Sequence, residues 1–276
     1  MLFGKKNCKE CGSTYDVVLA TCPKCKHADE EFENYKIPTH LVWLPIWKQL
    51  TIFALGLIGL QFVSLILELI FYRFIDPESV AFLNVINSTR YAIIALAIGA
   101  VFIGSFSSLK NSFKKWYPYL IGIGGMIVIY VFDIAYGNII RSVYPTTTDN
   151  GNQQAAVSLI QSYPIMSVLI IGILGPVVEE LTYRVGLFTF LRRVNRWLPY
   201  IVTCIVFAFI HFSFGGTKDE MINELLNLPS YIFAGAVFCL LYDFFGLSAS
   251  LTAHISNNLL SVLLTLLFTA SSNGNS

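Results

Sequence analysis

Residues 163–191 read YPIMSVLIIGILGPVVEELTYRVGLFTFL. The run is apolar and long enough to cross a hydrocarbon core of roughly 30 Å as one helix, yet Glu179, Glu180 and Arg184 sit inside it. An ionisable side chain at membrane depth costs about 2.5 to 3.5 kcal/mol on insertion scales. Three so close together call for partners on other helices.

Outward from this stretch the chain keeps the same character. Its 276 residues are 55% hydrophobic and 13% charged, with a mean hydropathy of +0.64, too apolar for one soluble core. Six further segments, 50–74, 91–109, 117–140, 198–214, 228–245 and 247–270, also have the length and apolarity of a crossing helix. The fold class read from this is an all-α polytopic membrane protein with about seven transmembrane helices.

The N-terminus, MLFGKKNCKECG, has basic residues but no apolar core behind them, so the first helix is expected to act as its own insertion signal. Lys and Arg gather on one side of the predicted helices: Lys5, Lys6, Lys9, Lys24, Lys26, Lys36 and Lys48, then Lys110, Lys114 and Lys115, then Arg192, Arg193 and Arg196. The other side carries Arg73, Arg90, Arg141 and Lys218. Trp43, Trp47, Trp116 and Trp197 flank the basic loops. Positive loops and interfacial tryptophans together put the N-terminus in the cytoplasm and the C-terminus outside. A net charge of +1 gives no sign of a nucleic-acid partner.

Residues 8–25, CKECGSTYDVVLATCPKC, hold two Cys-x-x-Cys pairs. Such pairs present thiolates at tight turns suited to tetrahedral zinc, and a cytoplasmic location argues against disulfides. Cys8, Cys11, Cys22 and Cys25 are therefore read as the ligands of a structural zinc ribbon over 1–28, with a redox pair or unligated cysteines as the alternatives. The ribbon could recruit a cytoplasmic protein partner. Residues 29–48 form a linker and interfacial segment, 50–140 carry three helices, and 163–270 carry four. Cys204 and Cys239 are expected to fill space between helices.

Polar groups for the charged stretch come from the last helices: His211, and His254 with Asn258. Glu180 and Arg184 are four apart and can pair along one face, as can His254 and Asn258. Glu179 is left as the carboxylate without a partner on its own helix. At about 1.5 Å per residue, Glu179 and His211 lie about 18 Å from the inner ends of their helices, Asn258 about 16 Å and His254 about 10 Å. This predicts a cavity open to the cytoplasm or to lipid on that side, with Glu68, Asp133 and Asp243 outside it, near helix ends.

EELTYR fits the pattern EExxxR, FAFIH (207–211) fits FxxxH, and HISNN (254–258) fits HxxxN, in that order. With these, the chain resembles the CAAX protease and bacteriocin-processing, or Abi, family of intramembrane endopeptidases over roughly 163–270. The resemblance implies that Glu179 and His211 activate water, that His254 and Asn258 stabilise the oxyanion, and that Glu180 and Arg184 support them. Phe207, one turn before His211, can pack against the imidazole. The substrate implied is a membrane-associated peptide or protein, in bacteriocin processing, self-immunity or CAAX maturation. No cofactor is then needed for catalysis. A zinc site of Glu179, His211 and His254 is the second mechanism, a non-catalytic scaffold recruiting a partner through the ribbon is the second function, and an ion-coupled transporter is the third.

Overall fold

The structure is a computed structural model that describes residues 5–16, 22–27, 41 and 44–273. Most of the predicted linker, with Lys36 and Trp43, lies outside the described residues. At the N-terminal end β1 (Lys5–Asn7) and β2 (Thr14–Asp16) pair antiparallel, Lys6 opposite Tyr15.

The rest is helical: α1 (Ile46–Phe71), α2 (Val80–Val101), the short α3 (Phe106–Asn111), α4 (Tyr117–Val143), α5 (Gly151–Ser162), α6 (Pro164–Arg192), α7 (Leu198–Phe209), α8 (Lys218–Phe245) and α9 (Leu247–Asn273). Backbone groups in lipid must be satisfied within the segment, which leaves helices as the form for apolar runs of this length. Their starts are written locally. Ser79 and Asn150 accept from the amides of Phe82 and Gln153, Thr217 and Glu220 make a capping box, and Pro118, Pro164 and Pro199 fall in first turns. Gly246, at φ 87°, turns α8 into α9.

Among the described residues six helices are long and apolar enough to cross a membrane, and the fifth predicted crossing is the shorter α7. The pass is completed by the turn 210–217. Tyr200 on α7 bonds Asp243 and the Ser213 amide bonds Glu224, so α7 and its turn run along about 28 Å of α8 at 1.5 Å per residue. The second crossing also moves: Ser79 starts α2 at Val80, which places Arg90 inside the helix and not in a loop. Its guanidinium bonds Ser64 on α1 at 3.0 Å and lies over the Tyr91 ring.

The charged helix α6 is the centre of the bundle. Half of its apolar window is buried, against 17–28% in the other crossing helices. Ile52, Leu60, Ile94, Ile98, Val185, Phe188 and Tyr242 form the main core around it. Small residues let helices approach closely: a side chain at Gly122 on α4 would meet the Ala249 carbonyl of α9 at 2.6 Å, and one at Gly56 on α1 would collide with Thr182 of α6. α6 is wound unevenly, with π turns over Val168–Leu174 and Leu181–Phe188. Such widened turns recur at functional sites, and here they flank Glu179 and Glu180.

The face at which α1 begins is closed by polar ties. Lys48 donates to the Ile103 carbonyl and the Ser105 hydroxyl at 2.7 and 2.9 Å, and Arg193 donates to the Leu44 carbonyl at 3.0 Å. Asp243, read from the sequence as an interface residue, is buried there between Arg192 and Tyr200.

Candidate active site

Glu179 and Glu180 face different partners, as their rotation along α6 predicts. Glu180 is fully buried and lies 3.2 Å from Arg184, itself fully buried. Arg184 also donates to the Gly235 carbonyl at 3.3 Å, and its guanidinium lies over the rings of Phe207 and Phe238, at 4.8 and 5.2 Å. Ring faces carry negative charge and help hold a buried cation. The second oxygen contact of Glu180 is unexpected from helix spacing: His254 Nδ1 on α9 is 2.9 Å from its Oε1. Glu180 thereby ties α6 to α9 and directs the other imidazole nitrogen, Nε2, towards Glu179 at 3.7 Å.

Glu179 is nearly buried and accepts a hydrogen bond at 3.2 Å from the Tyr91 hydroxyl of α2. Tyr91 lies on a helix that carries none of the sequence motifs. Nothing in its local sequence marks it, since an aromatic residue in an apolar helix reads as packing.

His211 sits just past the end of α7, in the turn, where helical continuation was expected. Its Nδ1 lies 2.8 Å from the Phe207 carbonyl. A carbonyl accepts only, so Nδ1 carries a proton, and in the neutral ring Nε2 keeps its lone pair. The ring packs against Phe207 at 5.0 Å and stacks flat on Tyr231 of α8 at 4.5 Å. Asn150, at the start of α5, donates to the His211 carbonyl at 3.1 Å. Glu224 accepts from the Ser213 and Gly151 amides at 3.0 and 2.8 Å, tying the His211 turn to α5. Tyr231, Asn150 and Glu224 escaped the sequence reading because their partners are distant in the chain. Asn258 donates to the Ile171 carbonyl at 3.0 Å, within the first π stretch of α6.

Glu179, Phe207, His211, His254 and Asn258 all line one cavity of about 710 Å³. Its position corrects the expected one. Its wall runs along the second half of α4, through Asp133 and Arg141, to the 147–150 segment and to Asn227 near the start of α8. These belong to the face opposite the one where α1 begins. Distance along a helix gives depth but not the open side, and that side is set by α5, which lies between the predicted crossings, and by the turn 210–217, most of which was expected to continue the fifth crossing. Asp133, expected to lie outside the site, is part of the wall, with its Oδ1 buried and unpartnered among the described residues.

The ribbon is a separate centre. The ligand atoms of Cys8, Cys11, Cys22 and Cys25 all lie within 4.8 Å of one another, the one such group of His, Cys, Asp or Glu among the described residues. Cys8–Cys25 and Cys11–Cys22 sulfurs are 3.5 and 3.6 Å apart, close to the ~3.8 Å edge of a tetrahedron with 2.3 Å metal–sulfur bonds. Tight turns carry each pair: the Gly12 amide returns to the Cys8 carbonyl and the Lys26 amide to the Cys22 carbonyl, both at 2.9 Å. The Ser13 hydroxyl holds the Cys22 thiol down to about 5, towards the thiolate that metals bind. These four cysteines could hold a metal ion.

The fold and cluster define a polytopic helical membrane protein with a carboxylate, two imidazoles and an amide around one cavity. Residues 161–260 match the family described as type II CAAX prenyl endopeptidase Rce1-like, a segment that contains all three motifs, so the resemblance drawn from them holds there. Over 86 residues the chain is 31% identical to the "UPF0177 protein in abiGi 5'region" of Lactococcus lactis subsp. cremoris, covering 31% of this chain and 34% of that protein. Over 122 residues it is 27% identical to the "Putative membrane peptidase YdiL" of Bacillus subtilis (strain 168), covering 44% of this chain and 40% of that one. The chain thus spans well under half the length of the curated relatives it matches. No solved structure matches it significantly.

Proposed function

We propose that the protein is an intramembrane endopeptidase that hydrolyses a peptide bond in a membrane-associated peptide or protein. The observation that carries the reading is the convergence of Glu179, His211, His254 and Asn258 on one cavity. Glu179 acts as general base on water, its position fixed by Tyr91. His211, with its protonated Nδ1 on the Phe207 carbonyl, offers Nε2 to the same water. Asn258 and, in its imidazolium form, His254 supply donors to the developing oxyanion, which count for more where water is sparse. His254 is aimed by Glu180, and Glu180 is held by Arg184.

The glutamate mechanism is favoured over a catalytic metal because the cysteines, and not Glu179, His211 and His254, form the convergent ligand group among the described residues. We assign zinc to the cysteine site, since four thiolates at this spacing close a structural tetrahedral site. Its role is structural or docking, towards a cytoplasmic partner.

The test is Glu179→Gln, which keeps side-chain size and removes the base. Losing general-base catalysis is worth about 10²- to 10⁴-fold in rate. N-terminal profiling of cells lacking the gene, complemented with wild type or with the variant at equal expression, is expected to give new termini with wild type alone. Cleavage retained by Glu179→Gln sinks the assignment.

A further inference from the structure

We infer that the cavity is entered from the exported side of the membrane and takes a polar peptide segment presented there, an inference that rests on the peptidase reading above. The mouth gives the side. From Glu179 and His254 the wall leads to Arg141, Thr148 and Asn227, at the ends of α4 and α8 remote from the face where α1 begins. That first face carries Lys48, Lys110, Lys114, Lys115, Arg192, Arg193 and Arg196, and the mouth side carries Arg73, Arg141 and Lys218. The positive-inside bias places the first face in the cytoplasm. It is also the closed face, sealed by the ties of Lys48, Arg193 and Asp243.

The wall gives the chemistry. Asp133 Oδ1 and Asn257 Oδ1 are buried acceptors on the cavity lining with no partner among the described residues. A buried acceptor left without a donor is costly. A peptide backbone brings an N–H at nearly every residue and can meet such acceptors. Asn152, Gln153 and Asn227 nearer the mouth add further amides, and a volume of this order suits a ligand of small-molecule size held by a few polar groups.

Two exposed positions test the side. Thr146→Cys, beside the mouth, and Lys114→Cys, on the basic face, are each introduced into the full-length protein and treated with a membrane-impermeant maleimide before and after lysis. The expected result is labelling of Thr146→Cys above the wild-type background in intact cells and of Lys114→Cys only after lysis; any other pattern overturns the sidedness. The N-terminal profile tests the ligand: Glu179-dependent termini are expected in exported segments, and termini confined to cytoplasmic segments overturn it. An absence of Glu179-dependent termini sinks the peptidase reading instead and with it the ligand assignment, while the labelling result stands independently.

Discussion

Cys8, Cys11, Cys22 and Cys25 meet within a stretch that two tight turns can close, whereas Tyr91, Glu179, His211 and His254 are brought together from α2, α6, the turn after α7, and α9. The ribbon's ligand atoms face one another and the neighbouring Ser13 hydroxyl, so its chemistry is written in local spacing. The intramembrane cluster owes its orientations largely to neighbours on other helices: His254 to Glu180, Glu179 to Tyr91, and His211 to Tyr231 as well as to the Phe207 carbonyl of α7. A local site can be lost without disturbing the rest of the molecule. A distributed site cannot lose a tie without loosening the helices that carry it.

The sharpest way to break this contrast is to remove the metal. Metal analysis is expected to find about one zinc per chain, and Cys22→Ser or chelation to abolish it, because apparent binding energies of about 10 to 16 kcal/mol hold such small sites together. Thermal unfolding of the helices in detergent and Glu179-dependent cleavage are expected to stay unchanged. Cleavage that tracks metal content in a protein lacking the ribbon would place a metal at the intramembrane site.

A smaller effect is expected inside the distributed site. Arg184→Ala leaves the carboxylate of Glu180 buried without its cation, a loss of about 3 to 5 kcal/mol when one partner of a buried pair is removed. A lowered midpoint of thermal unfolding, with cleavage lost as well, is the expected outcome. An unchanged midpoint would mean that the pair does not hold α6 in place. The smallest effect belongs to Tyr91→Phe, which removes one hydrogen bond to a charged acceptor, worth about 1.5 to 3 kcal/mol. The cleavage rate should fall by roughly ten- to a hundredfold at constant thermal stability, and an unchanged rate would remove α2 from the site.

The order of helices, the paired Glu180 and Arg184 and the cysteine tetrad were legible because each follows from spacing of a few residues. The second crossing was displaced in the reading because Arg90 looked like a loop residue; the Ser79 cap and the Ser64 hydroxyl allow it inside the helix. The 141–162 segment looked like a connection because its Asp, Asn, Gly and Gln residues carry turn signals. In the folded chain its second half is α5, and Asn150 and Gly151 hold the His211 turn through Glu224. Asp133 was placed outside the cavity, near a helix end, since sequence gives its distance from that end but not what faces it.

Sequence by itself determined that the chain folds into membrane helices, which residues carry charge within them, and that four cysteines gather at one end. Apolar length, helical periodicity and tight-turn spacing act over a few residues, so they survive without tertiary context. The tertiary structure alone decided that Tyr91 meets Glu179, that Glu180 aims His254, and that the cavity opens away from the basic face. Those outcomes depend on how helices rotate and stop against one another, and no local pattern in the chain encodes that.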